Sequence, residues 1–166
     1  MFAGENIRFE SSTSHPVMPL QIRKAKESDC GRLMELIQQL ATFEKEPNAI
    51  QVNLEHFTAC GFGPSPCWEA FVATEEDMIV GFALFYTRYS TWRGKRLYLE
   101  DFYVTEDYRN QQVGKQLFET LQQYAQDHGY TGMNWQVLEW NIDAIRFYKK
   151  FEDIHLEKGW LNGYWK

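Results

Sequence analysis

The residues best placed to do chemistry together lie between Leu97 and Lys115. Leu97–Val104 is an apolar run with strand character; Thr105-Glu106-Asp107-Tyr108 follows, and Arg109-Asn110-Gln111-Gln112-Val113-Gly114 leads into a helix. A helix N-terminus offers unpaired amides and the positive end of the macrodipole, and so can hold an anion. Arg109 adds charge, and Lys115 stands in the first turn. A phosphate site is one reading of this loop and an ordinary strand-to-helix turn is the other. A P-loop is excluded, because Gly114-Lys115 would need a glycine where Arg109 stands, and no Rossmann glycine fingerprint is present. Inside the strand, Glu100 and Asp101 are set among Leu99, Phe102 and Tyr103. Strand alternation puts Tyr98, Glu100 and Phe102 on one face and Leu99, Asp101 and Tyr103 on the other, so a regular strand sends only one carboxylate into a given cleft.

A metal reading of His56, Cys60 and Cys67 fails, because no second ligand cluster follows. Three cysteines are too few and odd in number for a disulfide framework, which points to a reduced, cytoplasmic protein. Net charge is −6, which disfavours a nucleic-acid binder and suits cationic partners. No apolar run approaches the roughly 18 residues of a membrane-spanning helix, and the first residues lack the apolar stretch of a signal peptide. With 166 residues and 44% hydrophobic content, the chain can bury one real core.

The elements that must position these groups can be read from periodicity. Residues 1–19 read as a loose tail and 20–166 as one domain. Leu20–Lys24 is a strand. Ser28 or Asp29 caps a helix that carries Leu33, Leu36, Ile37 and Leu40 on one face and ends at Glu44-Lys45-Glu46-Pro47. Asn53 caps a second helix, Leu54–Cys60. Trp68–Thr74, Met78–Arg88 and Arg96–Val104 are strands joined by hairpin turns. Gly114–His128 is an amphipathic helix closed by Gly129, with Leu117, Phe118, Leu121 and Tyr124 inward. Met133–Leu138 is a strand, Asn141–Lys150 a helix capped by Asn141, and Phe151–His155 and Tyr164-Trp165 supply terminal strands. The fold class is α/β (α+β), a mixed and mostly antiparallel sheet with helices on both faces.

Arg109-Asn110-Gln111-Gln112-Val113-Gly114 resembles the pyrophosphate loop of the GCN5-related N-acetyltransferases (GNAT), Gln/Arg-x-x-Gly-x-Gly/Ala. The resemblance runs from about Pro19 to Trp160. Ile22–Gly31, Gly61-Phe62-Gly63, Tyr98-Leu99-Glu100-Asp101 and Trp140-Asn141 with Phe147-Tyr148-Lys149 are similar to the diamine (spermidine/spermine) acetyltransferase branch. Phe43-Glu44-Lys45 and Tyr89-Ser90-Thr91-Trp92 resemble its thialysine-type members more closely.

That resemblance implies direct acetyl transfer from acetyl-CoA, as co-substrate and without a metal, to the primary amine of a small molecule. It also implies a homodimer, with neither nucleic acid nor membrane as partner. Tyr148 matches the general acid that protonates the departing thiolate; on sequence alone it reads more readily as a half-buried aromatic. Glu100 matches the glutamate that binds the amine and accepts its proton. Phe102, Tyr103 and Val104 match the strand edge that pairs with the pantetheine arm. Arg109, Asn110, Gln111, Gln112, Val113, Gly114 and Lys115 match the pyrophosphate loop, and Asn141, Ile142, Asp143, Ala144 and Lys150 further CoA contacts. Phe43, Glu44, Ser90, Trp92, Asn134, Trp135 and Gln136 match positions that line the amine site.

The chain departs from the family in four places. Gln112 and Asn110 replace glycines, so a side chain there crowds the phosphate or demands an unfavourable backbone angle. Ser90 replaces an Asp, and Lys158 falls near a distal Glu, of the spermine-type members, which favours a shorter or lysine-like amine over a long polycation. Phe151-Glu152-Asp153 stands where Arg/Leu-Gly-Ala is usual. The alternatives are a polyamine acetyltransferase proper, a member that binds acyl-CoA or a protein partner without turnover, and a protein-lysine acetyltransferase, which activity on a lysine peptide against a free amine would reveal.

Overall fold

Among the described residues five strands pair in chain order, and the sheet they form opens at one place along its fourth strand. The computed structural model describes residues 20–159; the readings made for residues 1–19 and for Tyr164-Trp165 lie outside them. The elements are β1 (Gln21–Lys24), α1 (Cys30–Phe43), α2 (Leu54–Phe62), β2 (Glu69–Glu75), β3 (Met78–Ser90), β4 (Gly94–Val104), α3 (Val113–Asp127), β5 (Met133–Trp135) and α4 (Ile142–Tyr148). Strands β1 to β4 are antiparallel neighbours, and β5 runs parallel to β4. The sheet is therefore mixed and mostly antiparallel.

Two cores lie on its two faces. On one, α1 and α2 bring Leu33, Leu36 and Phe57 onto Ala70, Val72, Phe82 and Leu84. On the other, α3 brings Leu117, Phe118 and Leu121, all fully buried, onto Ala83, Phe85, Leu97 and Leu99, and Tyr148 of α4 joins them. At about 1.5–3 kcal/mol for each large apolar side chain removed from water, α3 alone anchors that face. The caps fall where the sequence places them: Asn53 accepts from the His56 amide at 2.8 Å and Asn141 from the Ala144 amide at 3.1 Å. Asp29 stands at the start of α1, but its carboxylate takes the Lys26 amide and a two-pronged bond from Arg23 instead of capping the helix.

Two expectations are corrected. The strand expected over Met133–Leu138 stops at Trp135. Phe151–His155 is not a strand: Phe151 packs on Phe118 at 4.7 Å between centroids, Ile154 joins the same core, and Asp153 has a φ of +60° that breaks any extended run. The apolar spacing that suggests a strand there comes from an irregular segment covering the end of α4.

The decisive feature is an irregularity in β4. Leu84 pairs with Asp101 while the next residue, Phe85, pairs with Leu99, so Glu100 is an extra residue bulged out of the ladder. The bulge reverses the alternation. Leu97 and Leu99 lie in the α3 core, yet Phe102 and Val104 also pack against it, and Tyr103 packs on the α1 side. Pairing with β5 ends at the same point, since its three partners are Leu97, Tyr98 and Leu99. Beyond Leu99, no strand among the described residues covers the outer edge of β4.

Candidate active site

With the alternation reversed, Asp101 lies opposite Leu84 and so belongs to the α1 face, where the end of α1 delivers Glu44. Asp101 is half-buried, and its pKa is pushed up to about 6, first by burial and then by the charges of Glu100 and Glu44. Burial likewise raises Glu44, which stands at the C-terminal cap of α1, where the helix dipole already disfavours a negative charge. Tyr86 and Tyr98 pack ring to ring at 5.2 Å, and both phenols are raised by burial and then by the Glu100 charge. Glu100 and Asp101 therefore lie close enough for their charges to interact, which a regular strand with its two faces does not suggest; in a bulge, two successive residues oppose one residue of the partner strand. Sequence reasoning weighs Asp101 against Glu100 and prefers Glu100; the bulge brings Asp101 under the charges of both Glu100 and Glu44, at the end of α1. No ion pair to Glu44, Glu100 or Asp101 forms among the described residues; Glu100 is exposed, but Glu44 and Asp101 are half-buried, and carboxylates withdrawn from water are ordinarily paired. Such a cluster is poised to take up a cation.

Tyr148 closes the other side of the opened edge. It is 5% exposed and sits among Phe102, Phe118, Trp135 and Phe147, and this apolar burial raises its phenol well above the ordinary range. It stays protonated through neutral pH, as a proton donor must.

The loop between β4 and α3 keeps the backbone of the glycines it lacks. Asn110 and Gln112 have φ of +61° and +67°, in the left-handed region that favours glycine, and Gln112 is the residue before the first turn of α3. Val113 is buried; Gln111 donates to the Asp107 carbonyl at 2.6 Å, and Lys115 pairs with Glu119 at 3.6 Å. Arg109 is turned away from the helix start. Its Nε donates to the Val104 carbonyl at 3.1 Å, and its guanidinium lies over the rings of Phe43 and Tyr103, at 5.1 and 5.5 Å. It ties the loop to the end of α1, where Phe43 also packs on Trp140. Asn141 spends its side chain capping α4, whose first turn holds Ile142, Asp143 and Ala144; Asp143 pairs with Arg146 at 3.6 Å, and Lys150 is exposed just past the helix.

Two of the amine-site positions lie elsewhere. Ser90 accepts the amides of Trp92 and Arg93 at the hairpin tip, and Trp92 is 86% exposed. At about 3.3 Å per residue, that tip is some 20 Å along β3 from Leu84, the partner of Asp101. Asn134 accepts from Arg96 Nε at 2.9 Å, in a clasp that holds β5 to β4; Trp135 ends β5, and Gln136 follows it.

A sheet split at one edge, with anionic groups on one face of the gap and a protonated phenol on the other, is suited to moving a group between two ligands that meet in the gap. Similarity to known proteins gives that group. The Acetyltransferase (GNAT) family matches residues 32–152, and the chain belongs to this family of acetyltransferases. It is 36% identical, over 86% of its length and 89% of the relative's, to a thialysine N-epsilon-acetyltransferase of Mus musculus. It is 34% identical over 84% of its length to a spermidine/spermine N(1)-acetyltransferase-like protein of Homo sapiens, 21% of which is covered. Its fold is that of the aminoglycoside N-acetyltransferase AAC(6')-Iy in complex with CoA, with a TM-score of 0.73 over 92% of this chain and 99% of that one at 17% identity.

Proposed function

We propose that this enzyme transfers acetyl from acetyl-CoA to the primary amine of a small lysine-like molecule, such as thialysine, or of a short diamine. The observation that carries this reading is the group of carboxylates Glu44, Glu100 and Asp101, left without a cation beside the open edge of β4. An alkyl ammonium, with a pKa near 10.4, is the cation that fits, and it must lose a proton before it can attack. Asp101 and Glu100 hold it and take that proton. Tyr148 gives its own proton to the departing thiolate. The uncovered edge from Phe102 to Val104 receives the pantetheine arm, and Asn110 to Lys115 with the start of α3 hold the pyrophosphate. The names of the relatives support an amine of this size. A homodimer in the cytoplasm is part of the same reading.

The test is a calorimetric titration with acetyl-CoA, followed in the same sample by thiol release on adding thialysine, lysine, short diamines and spermidine. Release fastest on thialysine or a short diamine is the expected result. Release fastest on spermidine shifts the reading to the polyamine type, and binding without release on any amine overturns it.

The loop supplies a separate prediction. A left-handed L-residue costs about 1–2 kcal/mol, against about 0.5–1 kcal/mol for the extra unfolded freedom of glycine. Gln112→Gly is therefore expected to raise stability by under about 1 kcal/mol and to tighten CoA binding severalfold. Thermal melting and CoA titration measure both; no change in either means the loop already accommodates the glutamine without strain.

A further inference from the structure

Trp135 ends β5 opposite Leu99, where β4 and β5 part. Its indole nitrogen is shielded from solvent and has no hydrogen-bond partner among the described residues. A buried donor without an acceptor is rare in folded proteins, and each instance calls for a reason. Two rings lie against the indole, Phe118 at 5.6 Å and Tyr148 at 4.9 Å, and only Tyr148 carries an oxygen. The other rings around Tyr148, those of Phe102, Phe118 and Phe147, are hydrocarbon and bring it no donor or charge. Tyr148 Oη is not in hydrogen-bonding geometry with the indole in the resting site, so the contact must close by a small shift of the two stacked rings; a phenolate draws a donor far more strongly than a neutral phenol.

We propose that Trp135 is a positioning residue for Tyr148, its indole N–H donating to Tyr148 Oη as the phenol gives up its proton. The inference rests on the acid role proposed above. As the amine nitrogen bonds to the acyl carbon, the C–S bond breaks and the nitrogen loses a proton to water; the Tyr148 O–H bond breaks as an S–H bond forms on CoA, and the phenolate takes a proton back from water once the products leave. The indole N–H bond stays intact throughout and stabilises the charge left on the phenol oxygen. An interaction made only as charge develops raises turnover without tightening ground-state binding. This also accounts for a donor that stands idle in the resting protein. Burial alone makes Tyr148 a reluctant acid, and the indole offsets part of that reluctance.

Trp135→Phe keeps a ring in the stack and removes the N–H. It is expected to lower kcat about tenfold to a hundredfold, with the Kd for CoA and the KM for the amine within about twofold. The second measurement keeps Trp135. Tyr148 is replaced by a ring-fluorinated tyrosine that ionises in an accessible pH range, and the indole 1H–15N resonance assigned to Trp135 is followed through the titration. A downfield shift in step with phenol ionisation is the expected result. A resonance that does not move, or a Trp135→Phe enzyme at wild-type kcat while Tyr148→Phe is slow, overturns this inference and leaves the acid role standing. If Tyr148→Phe also turns over normally, both fall together.

Discussion

Tyr148→Phe is expected to turn over at least about a hundredfold more slowly than the wild type, while acetyl-CoA binds as before. General acid catalysis contributes roughly 10²–10⁴-fold, and the leaving group here is a thiolate that needs a proton at some point on the path. Only one oxygen is removed, from a ring held by four aromatic neighbours, so the packing of the site survives. The phenol is raised by burial alone, so its loss breaks no bond that holds the fold, and the variant should melt no lower than the wild type. The alkaline behaviour adds a sign that can be checked. A phenol raised in the folded protein stays neutral there after the unfolded chain has ionised, so it subtracts stability as pH rises above about 10. Tyr148→Phe should lose that part of the alkaline destabilisation. Stopped-flow thiol release, calorimetry and melting at neutral and alkaline pH cover the three expectations; turnover equal to wild type would remove Tyr148 from the acid role.

How far the sequence discloses this site depends on which interactions set each piece. Helix periodicity and caps are local, and Leu33 with Leu36, Leu117 with Leu121, Asn53 and Asn141 lie where their spacing puts them. The left-handed backbone at Gln112 was also legible, since the position calls for glycine. The bulge at Glu100 was not, because register belongs to two strands at once, and Glu100 can be recognised as extra only against Leu84 and Phe85. One unseen residue reversed every face assignment after it and hid Asp101 on the wrong side. The orientation of Arg109 was hidden for a related reason: a guanidinium next to a helix start is read as an anion ligand, whereas the rings of Phe43 and Tyr103 reach it from elements far away in sequence. Phe151–His155 failed because apolar spacing reports burial, and an irregular segment over a core has that spacing too.

Asp101→Asn should cost catalysis and gain stability, and its pH dependence tells it apart from ordinary damage. In the wild type the carboxyl has a pKa of about 6, well above the usual 3.9 of an unfolded aspartate. The folded protein therefore binds the proton more tightly than the unfolded chain, and stability falls as pH rises from about 4 to about 6. A carboxyl raised that far sets a ceiling of about 3 kcal/mol on the loss, and the true figure is lower, because Asp101 is only half-buried and solvent screens it. Asparagine removes that burden, so the variant should melt higher than the wild type at pH 7.5, with the difference vanishing near pH 4. Binding runs the other way. The charge that destabilises the fold is the one proposed to receive an ammonium, and losing a charge-assisted contact is worth about tenfold to a hundredfold in the KM of the amine. For the wild type, kcat/KM for the amine should climb through pH 6 as Asp101 ionises, and an added amine should raise its melting temperature; Asp101→Asn should lack both responses. Glu100→Gln serves as the internal comparison: it should raise the KM of the amine and flatten the alkaline rise, while keeping the Asp101 step but moving it below pH 6, because the Glu100 charge no longer raises that carboxyl. If Asp101→Asn melts lower than the wild type at pH 7.5 and keeps that step, the carboxylate is structural, and the amine is held by Glu44 and Glu100 without it.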